Sequence, residues 1–233
     1  MRNLIKSIFI FYVLLYPANS LAATGAATEY QVTMTKLELC ETGSTTANCL
    51  NPLTISPSGT SGAVDIASVS AGATAGSYGN IAKAKIGTLY TFIQITMSRQ
   101  FSITGTAGSC ATKAGESGTK STDAAGQTGG TPGSSTLYVP DGTNTYGDHI
   151  NGSIDSLGAS VSADKTVGTN DEYFQYRKII SGGGLKVKAG DFPTVKVAFD
   201  VSNAVGEGTG GAAACTANVM YANEPGMTIS FVD

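Results

Sequence analysis

Hydrophobic and polar residues alternate with a period of two over most of this chain. In Glu29 to Cys40 (EYQVTMTKLELC), Tyr30, Val32 and Met34 share one parity, and Leu37 and Leu39 then take over the other. A one-residue slip inside a strand reverses the face it buries, so the pattern predicts a bulge or a change of sheet near Thr35-Lys36. Leu89 to Ile103 is the longest alternating run. Leu89, Ile93, Ile95, Met97, Phe101 and Ile103 fall on one face, and Gln94, Thr96, Ser98, Gln100 and Ser102 on the other. That is the signature of a half-buried strand with one wet face. At about 3.3 Å per residue the run would reach about 50 Å, so it is expected to bend or to be two strands in sequence.

Other segments repeat the pattern. Val195, Val197, Phe199 and Val201 oppose Lys196, Ala198, Asp200 and Ser202, and Met227, Ile229 and Phe231 alternate to the end. In Glu172 to Ile180, Phe174, Tyr176 and Ile180 oppose Tyr173 and Ile179. Gly182-Gly183-Gly184 then reads as a hairpin-like connection to Leu185–Val187. Shorter strand candidates are Leu53–Ile55, Val64–Ile66, Tyr78–Ile86 and Leu137–Val139. Helical spacing is confined to Ile154-Leu157-Val161 and the Ala-rich run from Ala212 to Ala222, so at most one or two short helices are expected. Eight to ten strands separated by Gly/Ser/Thr turns predict an all-β fold, an antiparallel two-layer β-sandwich of Ig-like or Greek-key type. Residues 105–136 carry almost no bulky apolar side chain. They read as a long, flexible Gly/Ser/Thr-rich surface loop or insertion that adds nothing to the core.

Composition narrows the possible chemistry. Gly, Ser and Thr fill 82 of 233 positions, charged residues only 13%, and the net charge is −3. So few charges exclude a coiled coil and a charge-driven disordered chain. An acidic balance without clustered Lys and Arg argues against a nucleic-acid partner.

The first segment is an address label. Arg2 and Lys6 precede the apolar run Ile8–Leu15, Pro17 ends it, and Ser20-Leu21-Ala22 sets small residues before a cleavage point. This predicts a secretory signal peptide over 1–22, cut after Ala22 with Ala23 as the alternative, and a single domain over 23–233. The apolar run is far short of the ~20 residues that span a bilayer. No membrane span is expected in the mature protein. Without Arg2 and Lys6, 12 basic side chains face 17 acidic ones, a net charge of −5. The expected location is outside the cell, at its surface or in a periplasm.

Export explains the cysteines. Cys40, Cys49, Cys110 and Cys215 are even in number and enter an oxidising space. Cys40 and Cys49 flank a turn-rich segment that suits a local bridge, which leaves Cys110 to pair with Cys215. A metal site lacks the C-x-x-C spacing and the histidines it needs.

Several motifs resolve to ordinary loops. Gly206, Gly208 and Gly211 satisfy G-x-G-x-x-G, but the strand before them alternates as antiparallel strands do, against a dinucleotide fingerprint. His149 is the only imidazole, and no G-x-S-x-G elbow accompanies it. Asp141, Asn144 and Asp148 lie in a Gly-rich turn without the spacing of a calcium loop. Asn151-Gly152-Ser153 forms a glycosylation sequon. Tyr138 and Tyr146 flank a loop and are the candidates for stacking on a sugar ring.

No catalytic residue, cofactor or metal site is assigned. The expected function is that of a secreted or cell-surface, non-catalytic β-sandwich, structural or adhesive. A pilus-like subunit is one form of it, in which the small-residue arm Ala23 to Thr28 adds a strand to a neighbouring copy. The terminal strand Met227–Phe231 would be the receiving edge. An extracellular carbohydrate- or ligand-binding module is the alternative, and a secreted hydrolase ranks third.

Overall fold

The structure is a computed structural model that describes residues 22–45, 48–68, 79–139, 150–154, 172–190, 194–209, 215–216 and 218–232. Every ladder between its strands is antiparallel. The two longest alternating segments form its spine. β2 (Ala27–Glu41) runs antiparallel to β5 (Leu89–Ser98) and β6 (Gln100–Ala107), which follow one another along the same edge of β2. The long run is therefore two strands, joined at Arg99. The register of β2 on β5 slips between Met34 and Lys36, where the hydrophobic phase changes. The extra residue, Thr35, is buried, and its hydroxyl donates to the Thr96 carbonyl at 3.1 Å.

Further strands dock on this spine. β3 (Leu53–Thr54) and β4 (Ala63–Asp65) pair with the other edge of β2. β11 (Tyr173–Ile179) pairs with β5 and carries β10 (Ile150–Ile154) beyond it. β9 (Ser135–Tyr138) pairs with β6, which also leads into β7 (Cys110–Thr112) and β8 (Gly126–Thr128). Two smaller sheets complete the sandwich. One places β14 (Val205–Glu207) between β1 (Ala23–Gly25) and β15 (Met220–Ala222); the other pairs β13 (Thr194–Asp200) with β16 (Gly226–Val232).

The core lies where the inward rows of these sheets meet. Tyr30 of β2, Phe101 of β6 and Phe174 of β11 are almost wholly buried. Their rings contact in series, with centroids 5.3 Å and 6.1 Å apart, the second pair edge-on. Phe199 of β13 and Met227 of β16 close over them around an apolar cavity of about 40 Å³. Close packing of such rings adds to the stabilisation from area burial alone.

Four local expectations need correction. Residues 105–136, read as a coreless loop, contain β7 and β8, and Ala107, Ala111 and Ala124 are buried. The core here is built by close approach of main chains instead of by bulk. A Cβ on Gly105 would lie 2.4 Å from the Ala26 carbonyl oxygen. The segment after Ile179 is not a hairpin. β12 (Leu185–Lys186) rejoins β5 on the same edge as β11, because the intervening residues bulge out past a single residue of β5, Thr91, which lies between Phe92 and Tyr90. Within Tyr78–Ile86 a 3-10 turn covers Ile81–Lys83, and the Asn80 side chain, accepting from the Ala82 amide at 3.0 Å, drives the chain out of extended geometry. The Ala-rich run ends as strand β15 where a helix was a candidate, because Val205–Glu207 offers Met220–Ala222 a ladder. In the other helical candidate Ile154 closes β10, and Leu157 and Val161 lie outside the described residues.

Candidate functional site

The joint between β5 and β6 makes a corner. Arg99 breaks the apolar row of Leu89 to Ile103, and it is wholly buried. Its guanidinium donates to the Val139 carbonyl from Nε at 2.9 Å and from Nη2 at 2.7 Å, and to the Lys120 carbonyl at 3.3 Å. Its amide donates to the Glu172 carbonyl at 3.0 Å. A buried charge is tolerated only when its donors are met, and here they tie the corner to β9, β11 and the turn at Lys120. Nothing in the alternation pattern assigned Arg99 this part. Its place in an otherwise apolar row was the available signal.

A polar groove of about 300 Å³ opens on the outer side of this corner. β2 contributes Gln31 and Thr33, β6 contributes Gln100 and Ser102, and Tyr173 of β11 stands opposite Ser98. Thr60 and Ala63 form the remaining wall. That wall is fixed by Ser61, whose hydroxyl accepts from the Met34 amide at 2.9 Å and whose amide donates to the Met34 carbonyl at 2.7 Å. Among the described residues no lining side chain carries a charge.

Two amides in the groove are held at one end. The Tyr138 hydroxyl donates to Gln100 Oε1 at 3.2 Å, across the ladder that pairs the two residues. Gln31 Nε2 donates to Glu29 Oε1 at 2.6 Å, while Glu29 Oε2 accepts from the Thr104 hydroxyl at 2.6 Å. Tyr138, one of the two tyrosines singled out for stacking, thus reaches the groove by holding one of its amides. Tyr146 lies outside the described residues, as do His149, Asp141, Asn144 and Asp148.

Along the same face the expected wet row is half buried. Gln94 and Thr96 are 4% and 1% exposed. Gln94 Nε2 donates to Glu38 Oε2 at 2.7 Å and Arg177 Nε donates to Gln94 Oε1 at 2.5 Å. Lys36 pairs with Glu38 at 2.6 Å. Gln94, Glu38 and Arg177 tolerate burial because they satisfy one another, whereas the buried Thr96 hydroxyl has no partner among the described residues; alternation alone could not separate this row from solvent-facing positions. Burial brings the Arg177 guanidinium down to about 10, with the Glu38 carboxylate pulling the other way.

The cystines are Cys40–Cys49 and Cys110–Cys215. Beside the second lies Glu207, wholly buried, whose Oε2 accepts from the Thr209 amide at 2.8 Å and from the Thr209 hydroxyl. Burial raises the Asp123 carboxyl, and burial followed by the charges of Asp123 and Glu207 raises the Tyr221 hydroxyl. Ala22 is exposed and Ala23 opens β1. Among the described residues no group of three His, Cys, Asp or Glu side chains could hold a metal ion, and no helix is long and apolar enough to cross a membrane. Among the described residues neither the core cavity nor the corner groove is lined by a carboxylate.

Comparison with protein families, with curated proteins and with solved structures gave no significant match to this chain. The functional reading therefore rests on the site itself.

Proposed function

We propose that this protein is an exported, non-catalytic β-sandwich of the cell surface, structural or adhesive, whose copies join by strand addition. The N-terminal arm carries the reading. β1 is the first segment after the expected cut at Ala22, and it pairs with β14 as Ala23↔Glu207, Thr24↔Gly206 and Gly25↔Val205. Its side chains are small, so main-chain hydrogen bonds supply most of its attachment. The same three residues of a second copy would make the same ladder. β13 and β16 have no other ladder partner among the described residues, and such edges are where strands add.

The arm to remove is short. Tyr30 and Val32 are buried in the core of their own chain, so a deletion reaching them would unfold the protein. Mature protein should form ladders on unboiled gels and filaments under the electron microscope. A variant lacking residues 23–26 should remain folded and form neither. Equal assembly by that variant, or none by the full mature chain, would refute strand addition. A second reading, an extracellular carbohydrate- or ligand-binding module, is favoured by the corner groove.

A further inference from the structure

We infer that the corner groove binds a neutral saccharide of one or two sugar residues. This rests on the ligand-binding reading and gives it a site and a ligand class. The first argument is charge. Among the described residues the lining holds no cation to meet a phosphate, sulfate or carboxylate, and the mature chain is acidic overall, so anionic ligands meet no attraction and long-range repulsion.

The second argument is the sense of the hydrogen-bonding groups. With Oε1 taken by Tyr138, Gln100 keeps Nε2, a donor, for a ligand. With Nε2 taken by Glu29, Gln31 keeps Oε1, an acceptor, for it. Neither of these free ends has a partner among the described residues, and the hydroxyls of Thr33 and Thr60 add groups that both give and accept. A sugar hydroxyl also gives and accepts, so an uncharged mixture of oriented donors and acceptors matches a polyol. Tyr173 supplies a half-buried ring beside them, a surface for the C–H face of a pyranose.

The third argument is the setting. The groove lies on a sheet face, and β2 is paired along both edges here, with β4 and with β6. A peptide strand would find no main-chain edge to join. The groups stand on paired strands, which hold them more rigidly than a loop would. About 300 Å³ sits at the small end of ligand pockets, which fits one or two sugar rings.

The test uses mature protein, an array of neutral and anionic glycans, and titration of the best neutral oligosaccharide by NMR. A monosaccharide should bind with a Kd on the order of 1 mM. Gln31→Ala and Gln100→Ala should each weaken binding about tenfold, a loss typical of one hydrogen bond to an oriented group. Both side chains lie on the outer side of the sheet, so thermal melts should be unchanged. Tyr173→Phe should retain most of the affinity and Tyr173→Ala should lose it. Binding to no neutral glycan, preference for anionic ones, capture of peptides in their place, or undiminished binding by both glutamine variants would overturn the inference. Filaments from protein that binds no glycan would overturn it and leave strand addition standing. Glycan binding by protein that never assembles would support it and remove strand addition instead.

Discussion

Tyr176 shows how one hydroxyl can couple the core to pH. It is buried on β11, and its Oη donates to Glu224 Oε1 at 2.6 Å. Burial, then that hydrogen bond and the charges of Glu224 and Tyr30, hold its ionisation far above the ordinary tyrosine value. A group whose pKa is raised on folding contributes fully below its unfolded pKa, about 10 for tyrosine, and loses that contribution as pH rises beyond it. The wild-type protein should therefore lose about 1.4 kcal/mol per pH unit above pH 10 from this residue alone. Tyr176→Phe should cost about 1–2 kcal/mol at pH 7 and abolish that alkaline slope, as urea titrations at pH 7, 10 and 11 would measure. At this scale the sequence was legible as parity and little else. It placed Tyr176 inward, but the partner carboxylate lies 48 positions away, and no local pattern encodes such a pairing. Arg99 and Arg177 are alike in this. Both are charged residues in buried rows with partners from distant segments of the chain, Val139 and Lys120 for Arg99 and Gln94 for Arg177.

Between elements, the tightest fit is β1 against β6. A Cβ on Gly25 would stand 2.1 Å from the Thr106 carbonyl oxygen, and one on Gly105 would be 2.4 Å from that of Ala26. Main chain cannot yield as a flexible side chain can, so overpacking here is expected to cost about 1–3 kcal/mol. Gly25→Ala should detach β1 while the sandwich persists. Hydrogen exchange should then show lost protection confined to Ala23–Ala27 and its partners on β14, and loss across β5 and β11 would contradict the assignment. The long elements were readable because one of their faces is apolar throughout. The bulge at Thr35 was visible as a change of phase, and the division of Leu89 to Ile103 as a run too long for one strand. What escaped the period-two reading was residues 105–136, whose strands β7 and β8 are built from Ala, Gly, Thr and Cys with one Gln. Small side chains carry almost no hydropathy contrast, and their burial comes from neighbouring main chains.

For the molecule as a whole, the cystines differ in reach. Cys110–Cys215 closes 105 residues and ties β7 to the segment preceding β15, whereas Cys40–Cys49 closes nine. Chain entropy alone predicts about 5 kcal/mol for the first and about 3 kcal/mol for the second. The double variant Cys110→Ser/Cys215→Ser should accordingly lower the urea midpoint more than Cys40→Ser/Cys49→Ser, and the reverse order would count against an entropic origin. The corner groove was less legible than the sandwich, because it needs five strands and the segment at Thr60 to converge, and only Tyr138 among its neighbours stood out from the sequence. The smallest strand has a last consequence. If export trims the chain after Ala22, all three rungs from Ala23 to Gly25 survive against Glu207, Gly206 and Val205. A cut one bond later deletes the Ala23 rung and leaves two. The peptidase would then set the width of the sheet's outermost seam, so that leader removal and sheet construction converge on a single peptide bond.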